Sequence, residues 1–121
     1  MAERMIGVRV SITRYLSDEP QPGIVGCEFS DAHGRLWKLV EKTAIVSAED
    51  LDAQTSYPRP GVIACEIIGQ RRNEAGREII LIDTERPWSV ESVDGSTRFE
   101  VARTSLIEWD WGSKVEWAWE G

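Results

Sequence analysis

The residues whose types could do chemistry in this chain of 121 residues are a lone histidine, two cysteines and scattered carboxylates. His33 stands in Asp31-Ala32-His33-Gly34-Arg35, a run of turn-forming residues, so its expected role is that of a surface turn residue. One histidine makes neither a Cys/His zinc set nor a His-rich metal cage, and no glycine-rich strand-to-helix loop is present to cradle a phosphate. A nucleophile elbow of the G-x-S-x-G type is absent as well. Cys27 and Cys65 are 38 positions apart inside apolar segments, without the close pairing of zinc ligands, and are read as buried free thiols, with a disulfide between them as the alternative for an exported chain.

Glu28 and Glu66 occupy matching contexts, each directly after a cysteine. Two carboxylates brought together across a pseudo-twofold axis could work as an acid and base pair. The competing expectation places both on a wetted strand face, beside the small neighbours Gly26 and Ala64. Glu49, Asp50 and Asp52 could attract Ca²⁺ but lack the spacing and glycine of an EF-hand loop, and a helix N-terminus accounts for them better. No residue is assigned a catalytic, cofactor-binding or metal-binding role, and no cofactor is expected.

The C-terminal segment is the other feature with binding potential. Ile107, Trp109 and Trp111 alternate with acids, Gly112-Ser113-Lys114 follows, and Val115, Trp117 and Trp119 alternate again. A hairpin over 107–119 would put every large apolar group on one side. Each buried tryptophan removes about 150–250 Å² from water, so that side is expected to pack on the rest of the domain or on a partner. Trp109, Trp111, Trp117 and Trp119 are therefore the candidate partner or ligand contacts.

Charge narrows the class of partner. Residues 1–46 carry 6 Lys/Arg and 6 Asp/Glu, and residues 47–121 carry 8 and 15, so the net charge of −7 belongs to the second part. An acidic surface works against a phosphate backbone, where affinity comes largely from cations displacing counterions, so nucleic acid is not expected. No apolar run approaches the roughly 20 residues of a spanning helix, and the first ten residues lack a secretory apolar stretch. A cytoplasmic protein that makes no membrane contact is the expectation.

The elements that would position these residues follow from a repeat. Pro22-Gly23-Ile24-Val25-Gly26-Cys27-Glu28-Phe29 recurs as Pro60-Gly61-Val62-Ile63-Ala64-Cys65-Glu66-Ile67, with four identical positions. Each copy runs into an Asx-to-glycine turn, Asp31 to Gly34 and Asn73 to Gly76. Proline and glycine close the preceding loop, β-branched residues build a strand, and the turn folds it back as a hairpin. A three-residue loop sets Asp31 opposite Arg35, Phe29 opposite Trp37 and Cys27 opposite Leu39.

A first strand is predicted over Ile6 to Tyr15, with Ile6, Val8, Val10 and Ile12 on one face. Asp94-Gly95 predicts a third hairpin with a two-residue turn, pairing Val93 with Ser96, Val90 with Phe99, Trp88 with Val101 and Glu91 with Arg98. Ser47, followed by early carboxylates, predicts at most one short helix near 48–54. The fold expected for residues 1–121 is a single all-β domain of seven to eight mainly antiparallel strands in hairpins. Alternating faces require the sheet to close as a compact barrel or a two-layer sandwich.

At Pro22-Gly23 through Glu28, Asp31-Ala32-x-Gly34-Arg35, Glu41-Lys42, Tyr57-Pro58, Cys65-Glu66 and Asp83-Thr84-Glu85-Arg86-Pro87-Trp88-x-Val90-Glu91-Ser92, the chain resembles a group of small bacterial proteins with no assigned activity. The resemblance spans residues 8–106. It implies the fold and a bacterial source, supplies no functional residues, and is weaker at the Trp-rich end.

Acidity without a catalytic constellation makes a non-enzymatic protein-interaction module the favoured reading, of accessory or immunity/inhibitor type and directed at a basic partner. The alternative is a small β-barrel that binds an apolar or carbohydrate ligand in a pocket lined by Trp37, Trp88 and the tail tryptophans.

Overall fold

A computed structural model of the chain describes residues 4–110. They form seven strands: β1 (Arg4–Ser17), β2 (Ile24–Ser30), β3 (Leu36–Lys42), β4 (Arg59–Arg72), β5 (Glu78–Asp83), β6 (Arg98–Val101) and β7 (Leu106–Asp110). A short helix, α1 (Thr43–Val46), follows β3, and a 3₁₀ turn (Arg103–Ser105) precedes β7. All pairings are antiparallel in the order β3-β2-β1-β4-β5-β6, and the sheet curls into a half-barrel. The all-β hairpin architecture and its barrel-like closure are as expected.

β1 is the axis of the sheet. One edge pairs with β4 over Ile6–Ile12, and the other carries β7 along Arg4–Val8 and β2 along Ser11–Ser17. Its alternation works as the sequence suggests, burying Val8, Val10 and Ile12 while Arg9 stays exposed. β4 turns the corner of the half-barrel: its first half pairs with β1 and its second with β5, with a register shift between Ile67 and Gly69.

The two repeat hairpins form as predicted, down to the register of Phe29 with Trp37 and Cys27 with Leu39. Asp31 Oδ1 accepts the backbone N–H of His33 and Arg35 at 2.8 and 3.0 Å, and Asn73 Oδ1 accepts those of Ala75 and Arg77 at 2.9 and 3.0 Å. Gly34 and Gly76 then take φ of +83° and +80°, which a side chain would strain. The same local chemistry has produced the same turn twice.

Two expectations are corrected. The helix lies at Thr43–Val46, not near 48–54, and Ser47 closes it rather than opening it. Thr43 and Val46 share the buried face, whereas Ser47 Oγ accepts the Glu49 N–H at 3.0 Å and turns the chain into a loop.

The third hairpin also forms differently. Residues 89–93 are not a strand, β6 pairs with β5, and the turn spans one residue more than expected, with Ser92 N–H donating to Ser96 O at 2.8 Å. The buried Thr84 hydroxyl explains this path. It donates to Val90 O at 2.6 Å while Thr84 N–H donates to Thr97 O, so loop 85–97 is pinned at both ends. Val90 reaches the core, Trp88 remains 42% exposed, and Arg98 pairs with Asp83 at 3.3 Å rather than with Glu91.

The open ends of the curl are bridged. Ala32 N–H donates to Glu100 O on β6 at 2.8 Å, and Val93 N–H donates to Lys38 O on β3 at 2.9 Å. Beneath these bonds Phe99 meets Phe29 and Trp37 edge-on, with ring centroids 5.1 and 4.8 Å apart. No described helix is long and apolar enough to cross a membrane.

Candidate functional site

The acid and base pair suggested by the repeat does not assemble. Glu28 is paired with Ser11 of β1, whereas Cys65, the neighbour of Glu66, is paired with Ile6 on the opposite edge. The two carboxylates are thus set apart by about six residues of β1, roughly 20 Å of strand. Cys27 and Cys65 are separated in the same way, opposite Ile12 and Ile6. Both are buried free thiols, pushed up to about 12 by burial and then by Glu41 and Glu66 respectively.

His33 lies at the hairpin tip, where its Nε2 is 2.7 Å from Glu100 Oε1. Arg71 donates to the same carboxylate at 2.9 and 3.2 Å. Arg71 first, and His33 after it, hold the Glu100 carboxyl down at about 2. Asp31 is raised by burial, but the Trp37 indole N–H and the backbone N–H groups of His33 and Arg35 outweigh this and leave it below the usual carboxylate range. These groups brace the turn against β6.

Of the tryptophans, Trp37 is engaged on several sides. Its Nε1 donates to Asp31 at 2.9 Å, Phe99 packs on the ring, and the Arg35 guanidinium sits 3.8 Å from its centroid. Trp109 contributes backbone to β7 opposite Met5. Trp111, Trp117 and Trp119, and with them the second arm of the hairpin predicted over 107–119, lie outside the described residues.

A different place draws chemistry-bearing groups together. The β1–β2 loop and the segment after α1 meet at the C-terminal end of β1 and enclose a groove of about 370 Å³. Tyr15, Pro22, Ala44, Ala48 and Leu51 provide apolar surface, and Asp18, Glu49, Asp50 and Asp52 supply four carboxylates with no lysine or arginine among the lining residues. The Tyr15 hydroxyl donates to Asp18 Oδ1 at 2.9 Å, and that bond is the main reason its pKa is raised. Arg59, from β4, holds Glu49 with two bonds of 2.9 and 2.6 Å. Asp52 Oδ1 accepts Gln54 N–H at 2.9 Å and fixes the following turn. Among the described residues no group of three or more His, Cys, Asp or Glu forms a metal-holding cluster.

Glu49, Asp50 and Asp52, expected at a helix start, instead line this groove together with Tyr15, Asp18 and Thr43, which no sequence motif singles out. The repeat itself carried the missing signal. Both copies open at the same end of β1, with Ile24 opposite Ser17 and Arg59 opposite Ile12, so the two acidic loops that precede the copies must converge there.

A second groove, of about 440 Å³, crosses the outer face of β1, β2 and β3 above Gly26. Leu16, Val40 and Val93 line it, and Val93 is 66% exposed. No family model matches the chain, and neither a curated protein nor a solved structure matches it.

Proposed function

We propose that this protein is a non-enzymatic interaction module, of accessory or inhibitor type and cytoplasmic, that captures a basic protein through the groove at the C-terminal end of β1. The observation that carries this reading is the lining of the groove, where four carboxylates stand beside exposed apolar surface and a single cation, Arg59, matches one of them, Glu49, among the described residues. Like charges gathered on one concave surface raise the local potential and steer an oppositely charged partner, and apolar walls give the contact area that charge alone does not. The most displaced carboxylate, Glu100, is explained by its Arg71 and His33 partners and braces the fold, which fits a binding scaffold. A tryptophan-lined ligand pocket draws less support, because Trp37 is occupied by Arg35, Asp31 and Phe99.

The test is affinity capture from the source lysate with the wild-type chain and with a variant carrying Asp18→Asn, Asp50→Asn and Asp52→Asn, at low and high salt. A protein of positive net charge, retained by the wild type at low salt and lost by the variant, is the expected result. Equal retention by both chains, or no specific retention by the wild type, would remove the reading.

A further inference from the structure

A sheet with one face on the core normally turns polar side chains outward on the other. The outer face of β1, β2 and β3 departs from this. A row across the three strands sets Arg14 beside Gly26 and Gly26 beside Val40. Around that row Leu16, Val40 and Val93 stand exposed and line the groove of about 440 Å³, and apolar side chains grouped on a surface in this way mark a contact.

Gly26 opens the groove, although the fold does not require glycine there. Its backbone is outside the left-handed region, and an added Cβ would meet Thr13 Oγ1 at 3.5 Å, Arg14 Cγ at 3.7 Å and Leu16 Cδ1 at 3.8 Å, all ordinary contacts. The second copy of the repeat carries alanine at the matching position, Ala64. The missing side chain leaves a notch between Leu16 and Val40. At the rim stands Val93, the most exposed of the large apolar side chains among the described residues, fixed by its N–H bond to Lys38 O at 2.9 Å.

Charge decides what fits this surface. Arg14, Glu28 and Lys38 line the groove, and none of their side chains makes a hydrogen bond or ion pair with a described residue. A uniformly acidic partner would meet Glu28, and a uniformly basic one would meet Arg14 and Lys38. The complement of a patch with both signs is the same patch turned over, which is what a two-fold contact between identical chains uses. Arg14 is paired with Gly26, two residues from Glu28, so the two charges are diagonal neighbours roughly 7–8 Å apart. A two-fold axis passing between them sets each guanidinium on the other copy's carboxylate, a geometry that arginine serves with two parallel bonds. We infer that the outer face of β1–β3 receives a second copy of this chain, with Arg14 of each copy on Glu28 of the other and the apolar rims closing over the Gly26 notches. This surface is separate from the acidic groove, and the assignment does not depend on the reading given to that groove.

The test is sedimentation of the full chain over a range of concentrations. The wild type should show a monomer–dimer equilibrium with a dissociation constant on the order of 10–100 μM, as a small interface supplies. Val40→Asp should weaken it by about tenfold or more, and Gly26→Leu should weaken it by filling the notch. Arg14→Glu and Glu28→Arg should each weaken it to a similar extent, and an equimolar mixture of these two chains should recover the dimer, because opposite charges then face each other again. Circular dichroism checks that each variant is folded; if one is not, the others decide. A wild type that stays monomeric to about 1 mM would overturn the assignment. So would a dimer indifferent to these substitutions, which would form through another surface, or folded charge-reversed chains that stay apart when mixed.

Discussion

His33 and Glu100 are 67 positions apart in the chain, and His33 Nε2 lies 2.7 Å from Glu100 Oε1. The contact links the tip of the β2–β3 hairpin, at one margin of the curled sheet, to β6 at the other. Arg71 reaches the same carboxylate from β4, and the neighbouring Ala32 N–H donates to the Glu100 carbonyl. One residue of β6 thus receives both the β2–β3 turn and β4.

That convergence gives the acid limb of stability a defined shape. With Arg71 and His33 beside it, the Glu100 carboxyl is lowered from 4.5 to about 2 in the folded chain. A folded value below the unfolded one stabilises above the unfolded pKa, and the contribution is lost as pH falls from there through the folded value. Glu100→Gln should therefore weaken the fold near neutrality by about 1 kcal/mol or less, as pairs open to solvent do. Its difference from wild type should shrink as pH falls below about 4. Urea midpoints of the two chains at neutral and acidic pH check this.

Two glycines of the repeat should answer differently to the same substitution. A Cβ on Gly61 would stand 2.8 Å from Ile12 Cδ1 and 2.8 Å from the Val46 carbonyl oxygen, and the backbone oxygen cannot move aside easily. A Cβ on Gly26 would meet nothing nearer than Thr13 Oγ1 at 3.5 Å. Gly61→Ala should lose about 1–3 kcal/mol through overpacking. Gly26→Ala should stay within about 0.5 kcal/mol of wild type. Denaturant unfolding of both variants measures the contrast.

Thr84 should act as the clasp of loop 85–97. Its buried hydroxyl donates to the Val90 carbonyl, with the Thr97 carbonyl 3.2 Å away. Thr84→Val keeps the shape and removes the donor, leaving a buried carbonyl unpaired, at a cost of about 1–3 kcal/mol. Hydrogen exchange should quicken across 85–97 before it quickens in β1 or β4.

The two thiols should be inert in the native chain. Burial raises both Cys27 and Cys65 to about 12, so very little thiolate exists near neutral pH. A thiol reagent should find neither group quickly in buffer and both in denaturant. Fast reaction of either one in the native state would contradict their placement.

The repeat hairpins were legible because everything that shapes them is local. Asp31 and Asn73 cap their own turns, glycine accepts the left-handed corner three residues on, and the loop length then dictates that Phe29 faces Trp37. The Asp94-Gly95 corner was misread for the opposite reason. Its partner strand competed with a buried tie from Thr84, which is distant in sequence from the turn it redirects. The helix was misplaced by a few residues because Ser47 can cap either a start or an end, and the burial of Thr43 and Val46 selected the end.

Composition, charge and alternation were enough to specify a sheet protein with two related hairpins and an acidic second half, since these properties depend on neighbours along the chain. The gathering of Asp18 with Asp50 and Thr43, the separation of Glu28 from Glu66, and the meeting of His33 with Glu100 came from strand order and register on β1 and β4. Those pairings join residues far apart in the chain. No local pattern encodes which edge of β1 each strand will take.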